Sequence, residues 1–266
     1  MKLYKIKAVV WLHILRLWRY KISFLNMALS ITLWILLFLL GALMFTPKGE
    51  LFKAIPIVFW GIIMWNIMSN TISLISGWTW YYLSQGFVEE HILTDTSPFL
   101  VLVGRPITGL FLSALATIFI YITLSGFEGS PIITITDPFI LMLGILTLTL
   151  MSISIGLILA ALSFKTGIQQ MFIEILNFII LIAGGIMAPL SKLPRFLAYI
   201  AILIPFSHSA ELVRFGAAGI KPWTSPTVIV PLSLILTASF LAISILTIKR
   251  IEMHIRISGL KAMGRM

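Results

Sequence analysis

Long uncharged apolar blocks divide the chain, and short stretches that carry charge separate them. Five blocks contain no Asp, Glu, Lys or Arg, and a sixth is interrupted only by Glu174: 22–47, 54–88, 106–127, 138–164, 222–248 and 166–191. A helix needs about 20 apolar residues to cross the hydrocarbon core of a bilayer, and every block is long enough. The blocks are continuously apolar rather than alternating, which favours helices over the strands of a barrel.

The pattern therefore predicts an all-α membrane protein with six transmembrane helices. The predicted spans are roughly 25–45, 55–76, 106–125, 138–162, 169–188 and 227–248. We expect a single transmembrane domain over residues 1–266, with an in-plane interfacial helix at 1–22, a six-span bundle at 25–248 and a basic tail at 249–266. No stretch is both polar enough and long enough for a second, soluble domain.

The first 22 residues have the periodicity of an amphipathic helix. Apolar side chains recur at intervals of four and three residues and fall on one stripe: Tyr4, Ala8, Trp11, Leu15, Trp18 and Ile22. The opposite face carries basic side chains: Lys2, Lys5, His13 and Arg16. This pattern is typical of a helix that lies in the membrane interface with its aromatic face down and its basic face out. A solvated basic lead-in to the first span is the alternative.

The segment between the last two predicted spans, 189–226, contains five prolines. Its portion 196–206 is apolar but too short to cross a bilayer, and Pro194 and Pro205 bound it. We expect this portion to dip into the outer leaflet or to re-enter the membrane. Such backbone is stable at membrane depth only where protein covers its polar groups.

Composition agrees with a membrane protein and limits the available chemistry. The 266-residue chain is 59% hydrophobic and only 11% charged, whereas about a quarter of the residues of a soluble domain are charged. The chain contains no cysteine. Disulfides, thiolate metal sites and thiol catalysis are therefore excluded.

The net charge of +10 is unevenly distributed about the predicted spans. If both termini lie on one side, the opposite loops hold only six of the 19 lysines and arginines: Lys48, Lys53, Lys192, Arg195, Arg214 and Lys221. Positive charge stays on the cytoplasmic side, so both termini of this multi-pass chain are predicted to face the cytoplasm across the cell membrane. The basic tails would then meet anionic lipid headgroups of the bilayer. We prefer this interpretation, in which the positive charge faces the cytoplasm and the headgroups, to one in which it binds nucleic acid.

One acidic residue, Glu174, lies inside a predicted span. An ionised side chain within the bilayer is costly and normally faces protein or a wet cavity. Gln170, Glu174 and Asn177 are spaced i, i+4, i+7 and therefore share one helix face. This polar face is a candidate lining for a translocation path or a dimer interface. The alternative is a Glu174 that snorkels to the headgroups.

The sequence predicts no catalytic, cofactor-binding or metal site in this chain. It contains neither a G-x-x-x-x-G-K-[ST] loop nor an H-E-x-x-H pattern. His91 with Glu89, Glu90 and Asp95 can be drawn as a metal cluster, but a solvated cytoplasmic helix face is the preferred interpretation. A Ser/His/Glu set can be drawn around His208 and Glu211, although no nucleophile elbow is present. A self-contained membrane enzyme therefore stays one alternative function, and a passive channel is another, although no filter-like loop is visible.

Residues 86–105 read GFVEEHILTDTSPFLVLVGR. This segment resembles the cytoplasmic loop between spans 2 and 3 of ABC-2 type transporter permeases. Four of its residues match that loop: Glu90, Thr94, Ser97 and Gly104. Arg105 stands for the family's Lys, and Asp95 departs from the usual Pro.

Residues 184–214 likewise resemble the stretch that follows span 5 in the same family. Six residues fit in register: Gly185, Pro189, Leu193, Pro194, Pro205 and Arg214. Gly184 replaces the usual Ser. Together with the in-plane helix and the six spans, the resemblance covers essentially the whole chain.

The resemblance implies half of an exporter, in which two permease copies (a homodimer, or a heterodimer with a paralogue) work with two copies of a separately encoded ABC ATPase. ATP and Mg would be used by that partner, and no cofactor is expected on this chain. The loop would couple to the ATPase through Glu90, His91, Thr94, Asp95, Ser97 and Pro98. An extracellular cap on the pathway would include Pro189, Pro194, Pro205 and Arg214. The implied function is outward movement of a drug-like, lipid or lipid-linked glycan substrate.

Overall fold

The computed structural model describes residues 3–44, 51–94, 96–128, 135–166 and 170–258. These ranges are helical and contain no strand, which confirms the predicted all-α class. The helices, in chain order, are α1 (Leu3–Arg19), α2 (Lys21–Met44), α3 (Leu51–Ser84), α4 (Phe87–Leu93), α5 (Pro98–Val103), α6 (Arg105–Glu128), α7 (Pro138–Thr166), α8 (Gln170–Ala183), α9 (Arg195–Leu203), α10 (Phe206–Ala218) and α11 (Pro226–Ser258), with a 3-10 turn at Leu190–Lys192.

A helix occupies each of the six predicted span positions. In the part of the chain that the structure describes, four segments are long and apolar enough to cross a membrane: Ile55–Ser84, Pro98–Gly126, Pro138–Thr166 and Pro226–Ile257. Two bent pairs raise the number to as many as six. One pair is α1 with α2 up to Leu37, bent by 81°, and the other is α9 with α10, bent by 104°.

The helix at the fifth predicted span, α8, is shorter than the sequence pattern indicates. It ends at Ala183 after 14 residues, about 21 Å at the usual rise of 1.5 Å per residue. The chain then turns at Gly185, whose φ of +66° lies in the left-handed region that glycine adopts without strain. A Cβ at this position would also lie 2.8 Å from Leu190 Cδ1. The predicted boundary at residue 188 is therefore wrong.

The amphipathic N-terminal helix has the expected aromatic stripe but not the expected basic face. Tyr4, Trp11 and Trp18 are exposed, and the 81° bend before α2 turns α1 across the direction of the bundle, as predicted for an in-plane helix. His13, however, is fully buried. The face opposite the stripe is not simply open to solvent, because it packs on α5 and α6.

Helix α7 forms the centre of the bundle and packs against α3, α10 and α11. Glycine permits the close approach of α7 and α10: a Cβ at Gly144 would lie 2.7 Å from the backbone nitrogen of Val213 on α10. Large apolar side chains fill the core between α3, α7 and α10, including Phe59, Met64 and Phe206. Because lipid tails are as apolar as these side chains, close van der Waals packing rather than removal from water holds the membrane-spanning helices together here.

Prolines mark the helix starts in the segment after α8. Pro189 precedes the 3-10 turn, Pro194 precedes α9 and Pro205 precedes α10. The fixed φ of proline suits the first residues of a helix, where its missing N–H is not needed. The predicted re-entrant portion corresponds to α9, which exposes apolar side chains, whereas α10 continues to Ala218 and is buried along almost its whole length.

Candidate functional site

A stripe of polar side chains runs along α3 and meets α8. Ser73 Oγ donates to Glu174 Oε1 over 3.1 Å. Asn177 Nδ2 donates to the same Ser73 Oγ at 2.9 Å and to Ser69 Oγ at 3.4 Å. Two serines of α3 therefore hold the polar face of α8 in place.

The other edge of this α3 stripe is bonded to α6. Asn70 Nδ2 donates to Asn66 Oδ1 on the same helix and to Ser113 Oγ at 3.1 Å. Ser113 Oγ in turn donates to Asn66 Oδ1 at 3.0 Å. Hydrogen bonds between amide and hydroxyl side chains thus join α3 to helices on both sides, where unpaired polar groups would be costly.

A cavity of about 510 Å³ opens beside this stripe. Its walls come from α2, α3 and α8: Met27, Ile31, Ser69, Asn70, Ser73, Leu74, Gly77, Trp78, Tyr81 and Glu174. A second cavity of about 270 Å³ shares Ile31, Ser69 and Asn70 with the first. The polar stripe therefore faces a chamber whose remaining walls are apolar and aromatic.

The structure places two of the three predicted polar residues of α8 at this chamber. Glu174 is half-buried and lines the larger cavity, and Asn177 is buried behind it. The side chain of Gln170 lies outside the described residues. The α3 partners were missed in the sequence, although Asn66, Ser69, Asn70 and Ser73 have the i, i+3, i+4, i+7 spacing of one helix face. That spacing is the signal that would have found them.

The two short helices α4 and α5 form a segment with an exposed side and a buried side. Glu90, Leu93 and Thr94 are exposed, and Asp95 lies outside the described residues. His91 is half-buried, and its Nδ1 donates to Phe87 O at 2.6 Å. Pro98 and Phe99 are buried instead of being available to a partner.

Contacts with α1, α7 and α11 fix the buried side of this segment. The ring of Phe99 meets that of Phe164 on α7 edge to face, with centroids 4.9 Å apart. Ser97 Oγ donates to Glu252 Oε2 on α11 at 3.1 Å, and Lys5 Nζ donates to Thr96 Oγ1 at 3.5 Å. The segment is thus tied to three other helices.

His13 of α1 supplies a further tie to the same region. Its Nε2 lies 3.4 Å from Val101 O and its Nδ1 lies 3.4 Å from Thr108 Oγ1. A neutral ring with the proton on Nε2 satisfies both contacts, since the carbonyl can only accept and the hydroxyl can donate. Burial, followed by the nearby charge of Arg105, lowers the pKa of His13 from 6.5 to about 4. Both effects keep the ring neutral.

Arg105 connects this region to the cavity. It is the first residue of α6, separated from the end of α5 by Gly104 alone. It is 3% exposed, and its guanidinium carbon lies 3.8 Å from the centroid of the Trp78 ring. Trp78 also lines the larger cavity. The ring of Phe87 on α4 also lies 5.9 Å from that of Tyr81, a second residue of the cavity wall. The α4–α5 region is therefore in side-chain contact with this wall.

The predicted cap residue Arg214 is buried in α10 together with Glu211. Glu211 accepts from Leu190 N at 3.1 Å, from Trp223 N at 3.2 Å and from Arg214 Nη1 at 3.4 Å. Arg214 Nη2 also donates to Ile186 O. Through these hydrogen bonds, the Glu211–Arg214 pair connects α10 both to the residues before α9 and to the residues after α10.

The same geometry does not form a Ser/His/Glu catalytic set. Ser207 Oγ donates to Ile204 O, and Ser209 Oγ pairs with Ser233 Oγ on α11. The ring of His208 lies beside that of Trp223, at a centroid distance of 6.1 Å. Within the described residues 204–218, no hydrogen bond joins His208 to a serine or to Glu211, so a nucleophile paired with a base is not formed there.

Comparison with known proteins gives one family match. The family model for ABC-2 type transporters matches residues 4–217, more than half of the chain. The match extends from α1 into the last residues of α10 and so includes the cavity, the α4–α5 segment and the Glu211–Arg214 pair. No curated protein sequence matches the chain.

Proposed function

This chain belongs to the ABC-2 type transporter family, and from that premise we propose how it takes part in transport. It is a multi-pass membrane permease of an ABC-type transporter and works with an ABC ATPase subunit. In the proposed assembly, two permease copies, as a homodimer or with a paralogue, pair with two copies of a separately encoded ATPase. That partner uses ATP and Mg, whereas the permease moves the substrate outward across the cell membrane. Both termini face the cytoplasm.

The α4–α5 segment is the proposed docking element for the ATPase. Its exposed side, with Glu90, Leu93 and Thr94, would fit a groove of the partner. Its buried side is tied to α1, α7 and α11, so a push on the segment reaches the bundle rather than bending a free loop. The observation that carries the proposal is the stacking of Arg105 on Trp78, which joins this segment to the cavity wall.

The cavity between α2, α3 and α8 is the proposed half of the translocation path. Apolar side chains beside it are exposed on α2 and α8, among them Leu33, Trp34 and Phe178. A second permease copy placed against these faces would cover them and supply the opposite wall. A chamber with apolar walls and a polar stripe suits a drug-like amphipathic molecule, a lipid or a lipid-linked glycan.

In the proposed cycle, ATP binding draws the two ATPases together and displaces both α4–α5 segments. The displacement tilts one permease half against the other and changes which side of the membrane the chamber faces. A substrate can shift this equilibrium only through different affinities for the two states. Residues that contact substrate in one state and protein in the other, such as Glu174 on Ser73, would provide that difference.

Co-purification tests this proposal. The tagged chain is purified from native-host membranes in mild detergent, and the proteins that accompany it are identified by mass spectrometry. We expect a P-loop ATPase in stoichiometric amount, with ATP hydrolysis that responds to substrate. Its reproducible absence from an intact, dimeric permease contradicts the proposal. An ATP-independent leak through liposomes would then support a channel, and turnover by the purified chain alone would support an enzyme.

A further inference from the structure

The cavity of about 510 Å³ between α2, α3 and α8 has an acidic side chain in its wall. Among its described lining residues, Glu174 is the one acidic or basic side chain. The other polar groups on its walls are hydroxyls and an amide, from Ser69, Ser73 and Asn70. A carboxylate accepts hydrogen bonds and attracts cations, and its field is strong where the surroundings are apolar.

Aromatic rings stand beside this carboxylate on the same wall. Trp78 and Tyr81 both line the cavity, and their rings meet edge to face with centroids 5.0 Å apart. Ring faces attract organic cations electrostatically. Arg105 is already stacked on Trp78 at 3.8 Å, so Tyr81, which is 40% exposed, is the ring more available to a cationic ligand.

Hydrogen bonds hold the carboxylate in position. Ser73 Oγ donates to Glu174 Oε1 at 3.1 Å, and the same hydroxyl accepts from Asn177 one turn further along α8. A charged group whose orientation is fixed by its neighbours needs less reorganisation when a ligand arrives. Met27, Ile31 and Leu74 provide apolar walls for the remainder of the ligand.

These features discriminate between the candidate substrate classes, which the fold alone does not distinguish. The phosphates of a lipid-linked glycan would face a carboxylate of like charge in apolar surroundings, which disfavours them. A small amphipathic cation gains from the carboxylate, the ring faces and the apolar walls together. The volume of about 510 Å³ falls within the usual range for sites of drug-sized ligands.

We propose that this cavity selects small amphipathic organic cations and that Glu174 is the residue that sets this charge preference. The inference rests on the proposed function, because it treats the cavity as part of the translocation path. It names the substrate class that the path accepts.

Binding to the permease without its partner tests the inference. The purified chain in phosphatidylcholine nanodiscs, with no ATPase or ATP, is dialysed to equilibrium against radiolabelled tetraphenylphosphonium, and empty nanodiscs give the background. Triphenylphosphine oxide, which is neutral and similar in shape, is the matched probe. Glu174→Gln removes the charge at nearly constant size. Glu252→Gln, outside the cavity, removes a carboxylate from the contact with Ser97 and is the control.

We expect wild type to bind tetraphenylphosphonium at least about tenfold more tightly than the neutral probe, because the carboxylate and the rings both favour the cation. Glu174→Gln should lose this preference yet still bind the neutral probe, which shows that the variant is folded, and Glu252→Gln should retain it. Equal affinities in wild type, no saturable binding of tetraphenylphosphonium, or an unchanged preference in Glu174→Gln each overturn the inference. Failure of the proposed function is detected in a separate experiment, the co-purification, as a purified permease without an ATPase.

Discussion

His13 and Gly104 are in such close contact that the glycine cannot be replaced without moving the histidine. A Cβ built on Gly104 would lie 2.5 Å from His13 Cδ2 and 2.5 Å from Val9 Cγ1. Gly104 directly precedes α6, and His13 and Val9 belong to α1. The in-plane helix therefore rests on the start of a span with no space between them.

Gly104→Ala should consequently destabilise the permease. Overpacking of a tight contact costs about 1–3 kcal/mol, and His13 is held by Val101 and Thr108 and cannot move freely. Thermal unfolding of the purified chain in detergent measures the effect. Gly126→Ala is the matched control on α6, because nothing lies within 4 Å of its Cβ position. Equal stability of the two variants would show that α1 is not docked on Gly104.

The contact of α1 with the bundle should weaken in acid. The docked state binds a proton to His13 with a pKa of about 4, against 6.5 for the free ring. The undocked state therefore gains protons first, and docking loses stability as the pH falls from about 6.5 towards 4. Protease accessibility of α1 across this interval measures it, and His13→Gln should remove the part of the pH dependence that lies there. An identical profile in this variant would assign the effect to another group.

We expect Arg105 to be needed more for the coupling of substrate binding to ATP hydrolysis than for assembly of the permease with the ATPase. Arg105→Ala removes the stack on Trp78, and a desolvated cation–π contact contributes about 2 kcal/mol. Substrate-stimulated ATP hydrolysis of the proposed complex should fall, while the ATPase still co-purifies. Arg105→Lys keeps the charge but loses the planar stack and should be intermediate. Arg195→Ala, on the exposed α9, is the control. Full stimulation in Arg105→Ala would contradict a role in transmission.

Substitutions on the exposed side of the α4–α5 segment should act differently. Glu90→Ala should lower substrate-stimulated ATPase activity without removing the permease from the membrane, and we expect the same of Asp95→Ala, at a position outside the described residues. Glu90 is exposed, and its side chain is available to a docked partner. Membrane content by immunoblot and ATP hydrolysis by phosphate release measure the two effects separately. Unchanged coupling in both variants would rule out this face as the docking element.

The sequence predicts the positions of the helices well because the apolar length of a span is a local property of the chain. It misplaces the end of α8, where Gly185 turns the chain with a positive φ and lies so close to Leu190, beyond the helix, that a Cβ would not fit. It also places His13 on an open basic face, because its partner Val101 is 88 residues away. The sequence also does not show which serines of α3 bond to another helix. Ser76 Oγ donates to Ile72 O of its own helix, whereas Ser73 Oγ donates to Glu174 on α8.

The ion pair of Glu211 with Arg214 should be far more important for stability than the pair of Glu252 with Arg256. The first pair is 2% and 1% exposed, and removing one partner leaves the other charge buried, a loss of about 3–5 kcal/mol. Glu211→Ala additionally deprives Leu190 N and Trp223 N of their acceptor. Glu252→Ala breaks an ion pair between partly exposed groups, for which about 0–1 kcal/mol is typical, together with the hydrogen bond from Ser97 Oγ.

Thermal unfolding of the two variants in the same detergent measures this difference. Glu211→Ala should unfold at a clearly lower temperature than wild type, and Glu252→Ala should stay close to it. Replacing both Glu211 and Arg214 by apolar residues of similar volume should recover part of the loss, because no unpaired charge then remains. A Glu211→Ala variant as stable as Glu252→Ala would show that water reaches Arg214 and that α10 is less buried than the structure indicates.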